Sequence, residues 1–99
     1  MNHLGIINQE IHNHCKALEM IDNKFKSKII SVSKALSKSL KKGGTIYWCG
    51  NGGSASDSMH LSTELIGRLK KNRKPLKSIS LSSNASALTC ISNDFGFEN

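Results

Sequence analysis

The run Thr45-Ile46-Tyr47-Trp48-Cys49, with the bend Gly50-Asn51-Gly52-Gly53 directly behind it, restricts the fold of this chain more than any other feature. Five β-branched, aromatic and apolar residues in succession are too few for a helix and read as a strand covered on both faces. Glycines at 50, 52 and 53 then remove side chains where the backbone must turn sharply. Helical spacing follows at once, which predicts a helix from about Ser54 to Leu69, with Met59, Leu61, Leu65 and Ile66 available for burial and Ser54 with Asp57 placed as a capping box. Leu76 to Leu81 is a second strand candidate, and Ala85 to Ile91 a further short helix.

Two helices are predicted upstream. Ile7, Ile11, Cys15, Leu18 and Ile21 recur every three to four residues, as a helix with one buried stripe requires. Asp22 is placed to cap a second helix, in which Phe25, Ile29, Val32, Leu36 and Leu40 keep the same period until Lys41 and Lys42 meet the negative helix end and Gly43-Gly44 stops it. The expected organisation is a helical pair over residues 1–42 and a β-α-β-α portion over residues 43–99. That order predicts an α/β fold with a parallel sheet and helices on its faces, and neither an internal repeat nor a low-complexity tract competes with it.

Length and composition exclude several classes of protein. A chain of 99 residues is one small domain at most, with a marginal core. Its 37% hydrophobic content together with eight glycines is globular rather than disordered. Three cysteines, Cys15, Cys49 and Cys90, are far apart, form no CxxC pair and follow no secretory leader, which leads us to expect reduced thiols and a cytoplasmic location. Cys49 is expected to be a buried, inert thiol. No run of 18 apolar residues occurs, so no membrane association is expected.

The formal net charge of +7 raises the question of nucleic acid. Eight of the fourteen basic residues are spread along residues 16–42 at intervals suited to the wet side of helices, and one tyrosine and one tryptophan give little to stack bases on, so a nucleic-acid partner is not expected. The denser run Leu69-Lys70-Lys71-Asn72-Arg73-Lys74 precedes Pro75 and reads as a soluble surface loop.

The glycine bend carries either of two meanings: a tight strand-to-helix connection, or a place where a polar ligand approaches backbone N–H groups at a helix start. It is not the dinucleotide fingerprint, because no third glycine falls in place and no acidic residue ends the next strand; nor is it a P-loop, because no Gly-Lys-Ser/Thr follows. His60 and Glu64, four apart, project from one helix face within reach of one ion or one substrate atom. Imidazole nitrogen and carboxylate oxygen suit zinc, although a zinc site takes three or four protein ligands; at this spacing a plain surface hydrogen bond is the other reading.

The run CGNGGSASDSMHLSTELIGR, followed by Asn93-Asp94-Phe95-Gly96-Phe97, resembles the N-terminal half of bacterial phosphoheptose isomerases of the sugar isomerase (SIS) domain superfamily. The resemblance spans nearly the whole chain in element order and is specific at those two motifs. It implies the first half of a doubly wound parallel-sheet SIS domain preceded by two helices. It further implies a zinc-dependent homotetramer that interconverts sedoheptulose 7-phosphate and glycero-manno-heptose 7-phosphate for cell-envelope glycans. By the same resemblance His60 and Glu64 are zinc ligands, Glu64 is also the proton-transfer base, and Asn51, Gly52, Gly53, Asn93 and Asp94 line the sugar. The family's serine-rich phosphate loop, and the glutamine and histidine that complete its zinc site, have no counterpart among these residues. His3, His12 and His14 match no family ligand and are expected to be exposed. The chain is therefore expected to be a truncated product, inactive alone, weak in zinc binding and prone to self-association through an open apolar edge and face. The alternative is a non-catalytic SIS-domain protein that binds a replication initiator; those relatives lack the glutamate found here at position 64.

Overall fold

The computed structural model describes residues 2–68 and 70–99, which fall into two units, the first ending at Ala35 and the second spanning Leu36–Asn99. The first unit holds helix α1, His3–Glu19, and the greater part of helix α2, Asn23–Lys41. Asn2 caps α1 by accepting from Gly5 N at 2.9 Å. Asp22 caps α2 as its sequence position predicts, its Oδ1 accepting from Phe25 N at 2.8 Å. Neither helix buries a residue, however, and the predicted buried stripes are open to solvent: Ile7, Ile11, Leu18, Phe25, Ile29 and Val32 are each more than half exposed. The helical period survives because local spacing dictates it. Burial does not, because a stripe is covered only when another surface faces it.

The second unit begins as α2 stops. Gly43 N donates to Leu40 O at 3.0 Å and Gly44 N to Ser39 O at 2.9 Å, the paired closure of a Schellman motif, so the glycine pair ends the helix where expected. Strand β1, Ile46–Trp48, follows; helix α3, Gly53–Ile66, crosses back; strand β2, Ser78–Ser80, lies parallel to β1; and helix α4, Ala85–Phe95, comes last. The register is Ile46 beside Ser78, Tyr47 beside Ile79 and Trp48 beside Ser80. Ile46 N bonds Lys77 O at 3.0 Å and Leu81 N bonds Trp48 O at 2.8 Å, carrying the pairing one residue past β2 at each end. The predicted parallel βαβ unit is thus present, with strands shorter than the Thr45–Cys49 and Leu76–Leu81 runs suggested.

α3 packs on both strands. Its covered face is not the predicted set of large residues, for Met59, Leu61 and Ile66 remain exposed while Ser58 and Ser62 are buried. The strand side of this contact is also small and polar, since Ser78 and Ser80 are buried beside the single buried hydrophobic residue described, Ile46. Ser58 Oγ and Ser80 Oγ share a hydrogen bond of 2.7 Å, Ser58 Oγ also donates to Ala55 O, and Trp48 Nε1 donates to Ser78 Oγ at 2.8 Å. Small side chains let helix and sheet approach closely, and these bonds satisfy the hydroxyls that approach buries.

The expectation of a strand covered on both faces is corrected here. Ile46 is buried and Trp48 half-buried toward α3, whereas Tyr47 and Ile79 occupy the other face and are 60% and 49% exposed. Among the described elements of the second unit α3 alone packs on the strands, so within this unit one face of the sheet has its layer and the other does not.

Candidate functional site

The bend after β1 depends on glycine at two points. A Cβ at Gly50 would lie 2.6 Å from the Ser54 carbonyl carbon and oxygen, so only a bare backbone lets the strand end and the helix start pass this closely. Gly52 is the N-cap of α3 with φ of 55°, in the left-handed region that disfavours other residues. Because Gly52 has no side chain, the expected Ser54–Asp57 capping box does not form. Backbone oxygens satisfy the first amides instead: Ser54 N bonds Asn51 O at 3.0 Å, and Ala55 N and Ser56 N bond Gly52 O at 3.1 and 3.2 Å.

Serines that the sequence reading passed over tie this elbow to the sheet. Ser82 Oγ donates to Gly50 O at 3.1 Å, and Ser82 N donates to Ser80 Oγ at 3.2 Å, which is itself bonded to Ser58. The signal was present as small polar residues at alternating positions 78, 80 and 82, the period of one strand face. Beside the elbow lies an open depression of about 410 Å³, within the range of small-molecule sites. Residues Cys49 to Gly52 form one side, and Leu81, Ser82, Leu88 and Phe97 the other. Of the predicted sugar-lining residues, Asn51 and Gly52 border it; Gly53 begins α3 and is exposed. Cys49 lines the depression and is exposed rather than buried; Cys15 and Cys90 are likewise free, exposed thiols, elsewhere in the chain.

His60 and Glu64 stand one turn apart on α3 with Nε2 and Oε1 separated by 2.9 Å, their side chains 75% and 32% exposed. Such a surface pair contributes only about 0.3–0.5 kcal/mol, too little to be what holds this helix in place. Both line a second depression, with Asp57 and Leu61, that among the described residues shares no lining residue with the elbow depression. The two groups therefore lie within hydrogen-bond distance of each other on one face of the helix that the elbow opens, as their four-residue spacing predicts. The donor chemistry fits zinc for half of a site. Among the described residues no group of three His, Cys, Asp or Glu is close enough to complete one.

Asn93 and Asp94 sit in the last turn of α4. Asn93 Nδ2 donates to Asp94 Oδ1 at 3.2 Å, and Cys90 Sγ lies 3.5 Å from Asp94 Oδ2. Both residues are exposed and border neither depression, so the structure joins them to each other and not to Asn51 or Glu64. His3, His12 and His14 are exposed on α1, as expected. The region after α3 also contains an unpredicted contact: Arg73 donates to the carbonyl oxygens of Glu64 and Leu65 at 2.9 and 2.8 Å. No helix described is long and apolar enough to cross a membrane.

Comparison with known proteins gives a consistent picture. The profile of the SIS domain family matches residues 11–99. The chain is 44% identical over 95 residues to phosphoheptose isomerase 1 of Campylobacter jejuni, covering 96% of this chain and 50% of that protein. Among solved structures, a phosphoheptose isomerase from Francisella tularensis superposes with a TM-score of 0.90 at 29% identity, over 98% of this chain and 51% of that one. The phosphoheptose isomerase of Neisseria gonorrhoeae superposes with a TM-score of 0.72 at 28% identity, over 96% and 46%. The chain spans about half the length of the curated relatives it matches.

Proposed function

The chain belongs to the SIS domain family, and from that premise we propose that it carries the N-terminal half of a heptose-phosphate isomerase site. The reaction is the interconversion of sedoheptulose 7-phosphate and D-glycero-D-manno-heptose 7-phosphate, supplying activated heptose to lipopolysaccharide precursors. The observation that carries this reading is the His60–Glu64 pair, 2.9 Å apart on the helix that opens at the glycine elbow. The names of the relatives, phosphoheptose isomerases, support a heptose phosphate as the substrate class.

Aldose–ketose isomerisation removes a proton from the carbon beside a carbonyl, and such a weak acid yields only if the oxygen that gains charge is stabilised as the proton leaves. Glu64 is the base: its carboxylate is partly exposed, borders an open depression, and has one oxygen engaged by His60. His60 and Glu64 would hold a zinc ion, which when bound supplies Lewis-acid stabilisation of that oxygen. Asn51, Gly52 and Gly53 present amide and backbone groups to the sugar hydroxyls at the elbow, and Asn93 with Asp94 does so from the end of α4. In this reading the protein is cytoplasmic, the complete protein is a homotetramer, and these 99 residues alone are inactive and bind zinc weakly. The exposed stripes of α1 and α2 provide apolar surface for self-association.

The test joins Asn99 to the remaining half of the Campylobacter jejuni relative and follows conversion of sedoheptulose 7-phosphate. The fusion is expected to turn over, and Glu64→Gln to lower kcat roughly 100- to 10,000-fold. A folded fusion that takes up zinc yet leaves the sugar unchanged rejects the isomerase reading. Turnover by the 99-residue chain alone, at the fusion's rate, rejects its inactivity.

A further inference from the structure

The C-terminal end of α3 lacks any cation of its own. No Lys, Arg or His lies in its last turn, and Gly67 behind it is extended, with φ −86° and ψ −163°. The final carbonyls of a helix have no partner within it and need one from elsewhere. Thr63 O accepts from Gly67 N at 2.8 Å. The next two carbonyls are reached by a single side chain from beyond the helix: Arg73 Nη2 donates to Glu64 O at 2.9 Å and Nη1 to Leu65 O at 2.8 Å. Nη1 also lies 3.3 Å from Lys74 O, and Leu76 N adds a second bond to Leu65 O at 3.0 Å. A guanidinium is rigid and planar, so two donors on successive carbonyls fix the orientation of that peptide as well as its position, and the positive charge meets the negative helix end.

Glu64 is the third residue from the end of α3, where helices open most readily. Its carboxylate meets His60 through one oxygen and is otherwise partly exposed. We propose that Arg73 is a positioning residue for Glu64: by clamping the backbone on which Glu64 is carried, it keeps the carboxylate at His60 and presets the two donors before a ligand arrives. This deepens the reading of His60 and Glu64 as a metal pair and rests on it for the metal. A lysine at this position, with donors spread about a single point on a flexible stem, does not hold two carbonyls in one plane.

The protein is compared with its Arg73→Ala and Arg73→Lys variants, each with and without Glu64→Gln. Zinc affinity is read by competition with a chromophoric chelator, and three-bond couplings of the Glu64 side chain are read by NMR without metal. Arg73→Ala is expected to weaken zinc binding on the order of tenfold, as loss of a residue that orients a ligand does, and Arg73→Lys to recover part of it. With Glu64→Gln in place, Arg73→Ala is expected to add nothing. Without metal, Arg73→Ala is expected to average the Glu64 couplings over rotamers and leave those of Met59 unchanged. An equal zinc loss in both backgrounds, or unaltered Glu64 couplings, overturns the proposal. If the parent protein takes up no zinc, the metal-pair reading fails, and the couplings alone decide the role of Arg73. If Arg73→Ala loses helical ellipticity, Arg73→Lys carries the same comparison.

Discussion

The two faces of the short parallel sheet differ in a way that composition alone would invert. Toward α3 the sheet presents Ile46, Trp48, Ser78 and Ser80; Ile46 and the two serines are buried and Trp48 is half-buried. On the other side it presents Tyr47 and Ile79, large and apolar, and this face is open. Burial here follows the geometry of close approach as well as hydrophobicity. The serines fill the seam because a helix lying against a sheet at this distance leaves room for hydroxymethyl groups, and their hydroxyls find partners in one another, in Ala55 O and in Trp48 Nε1. Within the second unit no element packs on the apolar face, whereas α/β proteins cover both faces of a parallel sheet.

Three substitutions test this contrast. Ser58→Leu forces a large side chain into the closed seam and removes the hydroxyl bonded to Ser80, so it is expected to lower the unfolding free energy by about 1–3 kcal/mol in urea melts. A change near zero would mean that the seam is loose. Trp48→Phe keeps most of the ring and removes the bond to Ser78 Oγ. Its expected cost is about 1 kcal/mol by the same measurement, and no cost would show that the indole bond contributes nothing net. Ile79→Thr acts on the open face, where a change within about 0.5 kcal/mol is expected. Its visible effect should instead be reduced self-association in sedimentation velocity. A stability loss matching that of Ser58→Leu would mean that the second face is covered in solution.

Much of the local structure was legible. Asp22, Gly43 and Gly44 mark helix ends by their own hydrogen-bonding and backbone preferences, and each does what its position predicts. The β-α-β order was legible because a β-branched run, a glycine bend and a helical period follow one another without a gap. The Ser54–Asp57 capping box was misread, since with glycine at the N-cap the backbone oxygens of Asn51 and Gly52 satisfy the first amides. At the site, the four-residue spacing placed His60 and Glu64 together, as the structure does. Spacing carried no information on Arg73, nine residues beyond Glu64, because its contact depends on how the chain returns after α3. α4 runs to Phe95, beyond the predicted Ile91, capped by Asn84 through Ala87 N at 3.0 Å, and so takes Asn93 and Asp94 into its last turn.

The amino-acid sequence was enough to place the start and stop of α2, to show that strand leads directly into helix through a glycine bend, and to put one imidazole and one carboxylate on one helix face. These are properties of residues within a turn or two of each other, set by backbone sterics and by the 3.6-residue period. The tertiary structure alone decided that serines rather than leucines fill the helix–sheet seam, that β2 holds the elbow through Ser82, and that Arg73 closes the end of α3. Such choices depend on the separation of elements distant in the chain, which no local pattern encodes.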